Sequence, residues 1–241
     1  NDVVKPLEND KEAPAPVRDV TYTKMSGSVL LTYTLPSDPD LLYVAASYTN
    51  KAGKKYEFKA SYFTNTLLVE GFGDTDTYSL DVYAVDRSEN YSEPVNIQVA
   101  ADTPPVQAAY ETLEVQPDFG GMTFSFDNAS KADLTVYVST PNADNEMVNA
   151  ETFYTGLAKA TFSVRGFLDV PRDFEICFED KWGNRSPVKK ENLTPIYEAE
   201  LDKKKFKEVI LPGDFPCTFY ESKMEYIWDG RAAADGDGQT G

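Results

Sequence analysis

The chain has no histidine. That absence removes the commonest general base, the usual activator of a serine or cysteine nucleophile, and the commonest zinc ligand. Cysteine is nearly as scarce. Cys177 and Cys217 are the two present in 241 residues, and no Cys-x-x-Cys occurs. Two thiols do not close a zinc site by themselves, so no metal-ligating residue is assigned. Cys177 alternates with Ile176 and Phe178 in a strand-like run, and a free, half-covered thiol is favoured there over a disulfide to Cys217. Positive charge is also short: 23 Lys plus Arg stand against 40 Asp plus Glu, a net charge of −17. Such a surface repels nucleic-acid phosphates and anionic lipid headgroups, so neither is expected as a partner. The one run of three lysines, Lys203-Lys204-Lys205, reads as the solvated side of a short helix. No run approaches the roughly 18–20 apolar residues of a membrane helix.

What is present is material for cores: the chain is 41% apolar and 13% aromatic. At roughly 100–150 residues per domain, its length suggests two domains with a remainder. A repeated pattern supports that division. Tyr78-Ser-Leu80-Asp-Val82-Tyr-Ala84-Val-Asp86 leads into Arg-Ser-Glu-Asn90-Tyr-Ser92-Glu-Pro94, and Phe174-Glu-Ile176-Cys-Phe178-Glu-Asp180 leads into Lys-Trp-Gly-Asn184-Arg-Ser186-Pro187. Each copy is an alternating strand, an Asp-led turn, then Asn-x-Ser and a proline opening the next strand. Asp86 and Asp180 lie about 94 positions apart, the spacing of tandem small domains.

Residues 1–13 read as a flexible, proline-containing leader, and 14–102 as the first domain. Its strands fall at 17–23, 29–35, 41–48, 55–60, 66–69, 77–85 and 95–99. Seven short strands with a turn signal every 8–12 residues or so indicate a β-sandwich. Tyr78 opens the sixth strand with Leu80, Val82 and Ala84 on its face. There its ring belongs in the core and its hydroxyl back on the chain, as in a tyrosine corner, whereas the matching Phe174 has no hydroxyl. Residues 103–105 read as a stiff linker through Pro104-Pro105. Residues 106–194 form the second sandwich, with strands at 110–115, 122–127, 132–139, 147–154, 160–164, 173–180 and 187–190. In 195–241, Leu201 to Ile210 has the spacing of a short amphipathic helix, and 217–220 and 224–228 read as strands. The fold class expected is therefore all-β: two tandem immunoglobulin- or fibronectin III-like sandwiches and a short, incomplete C-terminal segment.

Paired carboxylates are the remaining route to hydrolytic chemistry without histidine, at Asp38/Asp40, Asp74/Asp76, Glu179/Asp180 and Asp235/Asp237. Most sit in turns, where Asp caps the local backbone, so no catalytic residue is assigned and the protein is read as a non-enzyme. No cofactor is expected. Calcium, held by oxygens from several Asp-rich loops, is the one alternative, since no EF-hand spacing occurs. Exposed aromatics offer the better route to a ligand, because sugar rings present apolar C–H faces that stack on Trp and Tyr. Trp182 lies in a turn beside Asp180, Asn184 and Arg185, and Tyr91 is the neighbouring-turn analogue in the first domain. These five are the candidate ligand-binding residues. The plainer alternative is that Trp182 and Tyr91 cover the edge of their own cores. The Asn-x-Ser/Thr sites at Asn90, Asn128 and Asn192 read as turn structure rather than glycan acceptors.

The Asp-x-x-x-Asn-x-Ser-x-Pro hairpin resembles those of fibronectin III-like domains in bacterial surface proteins. Phe119-Gly-Gly121 with Asn128, Tyr154-Thr-Gly156, Arg165-Gly-Phe167 and Asp180-Lys-Trp182-Gly-Asn184-Arg-Ser186 are similar to segments of a family of uncharacterised Bacteroides-type outer-membrane lipoproteins. In that family two fibronectin-like domains precede a discoidin-type, galactose-binding-like domain. Leu201-Asp-x3-Phe206-x4-Leu211-Pro-Gly-Asp214 and Tyr226-Ile-Trp228-Asp-Gly230 resemble its opening, and the chain is expected to hold a truncated form of it. The resemblance implies an exported protein, lipid-anchored at the outer membrane, beside a polysaccharide-utilisation system. The expected function is assistance in glycan capture, the sandwiches acting mainly as spacer and platform, with a polysaccharide or a surface protein as partner. The alternatives are an adhesin-like interaction module and an accessory region of a glycan-active enzyme. The charge favours a monomer.

Overall fold

The computed structural model describes residues 11–199, 201–207, 209 and 211–214. Seven strands come first: β1 (Arg18–Met25), β2 (Ser28–Thr34), β3 (Leu41–Thr49), β4 (Lys55–Ser61), β5 (Thr66–Glu70), β6 (Thr77–Asp86) and β7 (Val95–Ala100). A short helix α1 (Pro105–Glu111) precedes seven more: β8 (Glu114–Asp118), β9 (Gly121–Asp127), β10 (Leu134–Pro141), β11 (Met147–Thr155), β12 (Lys159–Arg165), β13 (Arg172–Asp180) and β14 (Lys189–Leu193). The two sets share one topology. Sheet β1-β2-β5 faces β4-β3-β6-β7, and β12-β9-β8 faces β11-β10-β13-β14, with every pairing antiparallel. Three strands opposing four is the fibronectin III-like all-β sandwich.

Side-chain alternation builds each core. Along β6, Tyr78, Leu80, Val82 and Ala84 point inward; along β10, Leu134, Val136, Val138 and Thr140 do. A strand places successive side chains on opposite faces, so these period-2 runs bury one face and solvate the other. The first core gathers around Val29, Leu31, Val44, Phe72, Leu80 and Val82, and the second around Met122, Phe124, Val136, Phe174, Ile176 and Phe178.

The repeated motif resolves into one repeated hydrogen-bond set. Oδ1 of Asp86 accepts the backbone N–H of Ser88 at 2.8 Å and of Asn90 at 2.9 Å, and the Asn90 amide donates to Oδ2 at 2.9 Å. Oδ1 of Asp180 accepts from Trp182 and Asn184 at 2.9 and 3.0 Å, and the Asn184 amide donates to Oδ2 at 2.9 Å. Ser92 and Ser186 then each accept a β-strand N–H, from Ala84 and Phe178, at 3.0 Å. Asp86 is only 1% exposed, and these donors make that burial tolerable. The turns also share a left-handed residue, Glu89 in one (φ 62°) and Gly183 in the other (φ 84°).

A second shared device fixes the exit of each sandwich. Gly27 donates to Asp102 O, Asp102 to Met25 O, and Phe72 to Gly27 O. Gly120 likewise donates to Ile196 O, Ile196 to Asp118 O, and Phe167 to Gly120 O. Gly27 and Gly120 have φ of 59° and 62°, a conformation glycine adopts without a Cβ penalty.

Five sequence expectations are corrected. Residues 110–115 do not form one strand: Pro105–Glu111 is helical and β8 begins at Glu114. Pro105 at the helix start loses no hydrogen bond, and Val106 and Ala109, three apart, fill the second core together with Leu113. Pro105 therefore opens the helix instead of extending the linker. Tyr78 makes no backbone corner, since its hydroxyl donates to Oδ1 of Asp74 at 3.1 Å. The last strand begins at Lys189 rather than at 187. Between Leu201 and Ile210 the described secondary structure is one 3₁₀ turn, Lys203–Lys205. Cys177 is a free thiol. The expected strands at 217–220 and 224–228, Cys217 and Asp235/Asp237 lie outside the described residues. The chain divides into two compact units, 1–196 and 197–241. Among the described residues, no helix is long and apolar enough to cross a membrane.

Burial leaves a pH signature in the tyrosines. The hydroxyl of Tyr33 is pushed from an ordinary value of 10.0 up to about 12 by burial alone. Tyr78 is pushed up to about 12 by burial and by its bond to Asp74, and Tyr91 up to about 12 by its bond to Tyr43 and then by burial. A raised folded pKa means the native state holds the proton more tightly. The stability it contributes is complete below pH 10, and is lost as pH rises toward about 12. In an alkaline titration followed by tyrosinate absorbance, the buried Tyr33 and Tyr78 are expected to ionise late and together with unfolding. Ionisation of all 15 tyrosines near pH 10 with the fold intact would contradict this.

Candidate functional site

The Asp180–Asn184 turn does not project into solvent: it docks on the first sandwich. Trp182 packs against the first core, its ring edge-on to Tyr56 (centroids 5.6 Å apart, 88°) and inclined to Phe58 (5.6 Å, 61°). Tyr56 donates its hydroxyl to Trp182 O at 3.4 Å, and the Asn184 amide donates to Gly71 O at 3.3 Å. Lys181 bridges to Glu70 at 3.3 Å while its ammonium sits 5.0 Å from the Trp182 ring centroid. Two glycines make room. A Cβ on Gly71 would lie 3.0 Å from the Tyr48 hydroxyl and 3.1 Å from Trp182, and one on Gly73 would lie 2.5 Å from Oδ1 of Asn184. Beneath them Tyr48 stacks on Phe72 with centroids 4.6 Å apart. Burial, then the neighbouring Tyr56, raises the Tyr48 hydroxyl pKa. Trp182, Asp180 and Asn184 are thus brought together, but as a hook that joins two sandwiches.

Arg185 and Tyr91 belong to other surfaces. Arg185 lies beside β13 on the outer face of the second sandwich, bonded to Glu179 and 5.2 Å above the Tyr137 ring. Tyr91 occupies the matching place on the first sandwich, bridging to Val85. There it meets Tyr43, hydroxyl to hydroxyl at 3.3 Å, and Tyr83, ring edge to face at 5.6 Å. Lys59 donates to the Tyr43 hydroxyl at 3.3 Å, lies 4.6 Å from that ring's centroid and pairs with Glu57 at 3.1 Å.

Sequence reasoning missed Tyr43 and Tyr83. Their signal was register: β3 pairs with β6 so that Ala45 opposes Tyr83, which places Tyr43, Tyr83 and Tyr91 on one face. It also missed a shallow depression of about 400 Å³ lined by Asp133, Thr135, Tyr154, Gly156 and Lys181.

The carboxylate pairs are structural where they are described. Asp74 and Asp76 both bind Lys51. Burial pushes the Asp74 carboxyl upward, but Lys51, the Asp76 N–H and the Tyr78 hydroxyl more than offset it, so its pKa is lowered. A general acid needs the opposite shift. Asp38 accepts the Ala15 N–H at 3.2 Å, and Glu179 is paired with Arg185. Among the described residues, no group of three or more His, Cys, Asp or Glu side chains is gathered as a metal ion would need.

Residues 14–101 match the family described as domain of unknown function DUF4959, and residues 102–204 match domain of unknown function DUF5126. No curated protein matches the chain. Among solved structures it is similar to SusE-like protein BT2857, with 32% identity over 53% of this chain and 45% of that one and a TM-score of 0.35. The chain thus spans less than half the length of that protein. It is also similar to a two fibronectin type-III domain segment from chicken tenascin (15% identity, 74% and 99% covered, TM-score 0.35) and to the chicken CNTN1 FN1-FN3 domains (9%, 76% and 67%, 0.35).

Proposed function

We propose that the chain is a non-enzymatic part of a lipid-anchored surface protein that assists glycan capture in a polysaccharide-utilisation system. Its two sandwiches, residues 14–102 and 106–194, form a stiff spacer and platform. The observation that carries the spacer reading is the junction: an aromatic ring, two direct hydrogen bonds and an ion pair tie one sandwich to the next. Glycan capture is supported by the sequence resemblance at Phe119–Gly121, Tyr154–Gly156 and Asp180–Ser186 and by the aromatic outer face around Tyr91.

Affinity electrophoresis of the chain through gels loaded with plant and host polysaccharides tests the proposal. Retardation by at least one glycan is the expected result. No retardation by any of them would overturn glycan capture by these residues. It would favour the second reading, a module that binds another surface protein, for which Leu168 and Val170, exposed between β12 and β13, offer apolar contact.

A further inference from the structure

The outer face of the β4-β3-β6-β7 sheet is a grid of side chains that the core does not use. Register sets its rows. Lys59, Ala45 and Tyr83 lie across from one another, and Glu57, Ser47, Asp81 and Asn96 form the next row. Beyond the first row stand Tyr43 and Tyr91. One end of the face is therefore aromatic and the other carries carboxylates, an amide and a hydroxyl.

Three properties make this a surface for a sugar chain. The rings are held in place before any ligand arrives: Tyr91 is fixed by the Tyr43 hydroxyl and by the edge of Tyr83, and Tyr43 by Lys59. Ordering that is already present in the free protein does not have to be supplied by binding. Tyr91 is nevertheless 44% exposed, so its ring is open to contact. Next to the rings, the Asn96 amide donates to Asp81 at 2.8 Å and to Ser79 at 2.7 Å, and Gln98 donates to Asn96 at 3.4 Å. That ladder offers both donors and acceptors to hydroxyl groups, beside rings that stack on apolar C–H faces.

The second sandwich supplies an internal contrast. At the position of Tyr91 it has Arg185, which covers the ring of Tyr137 and pairs with Glu179, while Lys190 pairs with Glu175; its other ring, Tyr154, stands apart across from Thr135. Ion pairs and the Arg185 guanidinium cover the part of that face that matches the tyrosine cluster. The charge of the chain selects the ligand class. At a net −17 it repels polyanions; of the two lysines that β4 places on this face, Lys59 beside the rings is already paired with Glu57, and Lys55 stands across from Thr49, away from them.

We propose that Tyr43, Tyr83 and Tyr91, with Asp81 and Asn96, form a binding surface for a neutral polysaccharide on the outer sheet of the first sandwich. The inference rests on the glycan-capture reading and names its site. The test is affinity electrophoresis of the full chain in amylopectin, xyloglucan, galactomannan and arabinogalactan, with polygalacturonate as the anionic probe. The variants are Tyr83→Ala/Tyr91→Ala and, away from the rings, Asn96→Ala, with Tyr137→Ala on the second sandwich as control. The expected result is retardation by a neutral glycan that weakens about tenfold in the double variant and measurably in Asn96→Ala, with the control unchanged. If the double variant does not fold, loss of retardation in Asn96→Ala alone decides for the site. Retardation that survives both variants would overturn the site while leaving glycan capture standing. Retardation by polygalacturonate alone would overturn the neutral class, and none by any probe would overturn both the site and the capture reading.

Discussion

Gly121→Ala is expected to destabilise the second sandwich more than any other single methyl added at a described glycine. A Cβ on Gly121 would stand 1.8 Å from the carbonyl oxygen of Val164 and 2.8 Å from its carbon. Both atoms are backbone of β12, which pairs with β9 from Lys159↔Asp127 to Arg165↔Gly121. No rotamer relieves the overlap, so the strands must part at that end, at a cost of about 4 kcal/mol, the range reached by severe overpacking and lost pairing. Gly53→Ala is the control. Its φ is +80° but nothing lies within 4 Å of its Cβ, so backbone strain alone, about 1 kcal/mol, is expected there. Urea unfolding of the two variants should separate these costs. Equal losses would mean that β9 and β12 do not approach as closely as described.

Trp182→Ala carries the second large effect, and it falls on both sandwiches. Removing the ring uncovers Tyr56 and Phe58 and leaves the Lys181–Glu70 pair exposed to water on all sides. Full burial of a tryptophan is worth about 3–5 kcal/mol against alanine; for this half-buried ring about 2 kcal/mol is expected. Because the lost contact joins two cores, one cooperative melting transition should become two, with the first sandwich's falling to lower temperature. Gly73→Ala approaches the same junction from the other side, by driving into Asn184. It should split the transition in the same way with Trp182 still present. A single unshifted transition in both variants would mean that the hook contributes nothing to the coupling.

The strand plan was legible because its causes are local. Alternation along 77–85 and 173–180, and Asp-led turns at Asp86 and Asp180, are written within a dozen residues. Helix α1 was hidden by its own start signal: Pro104-Pro105 reads as a linker, although a proline opening Val106, Ala109 and Leu113 at spacings of three and four also opens a helix. Trp182 was legible as a turn residue but not as a hook. Its partners, Tyr56, Phe58 and the gap left by Gly71 and Gly73, lie over a hundred positions away, and no spacing rule connects them. Among the five candidate ligand-binding residues, Tyr91 alone lies in a cluster of rings on an outer sheet face, and its half-buried companions Tyr43 and Tyr83 emerge only when the register of β3 on β6 is known.

The central claim is that the hook makes one body of two sandwiches. Residual dipolar couplings of the full chain in a weakly aligning medium test it most directly. Amides of β1–β7 and β8–β14 are predicted to fit one alignment tensor in the wild-type chain and two in Trp182→Ala. Two tensors of different magnitude in the wild-type chain would contradict it.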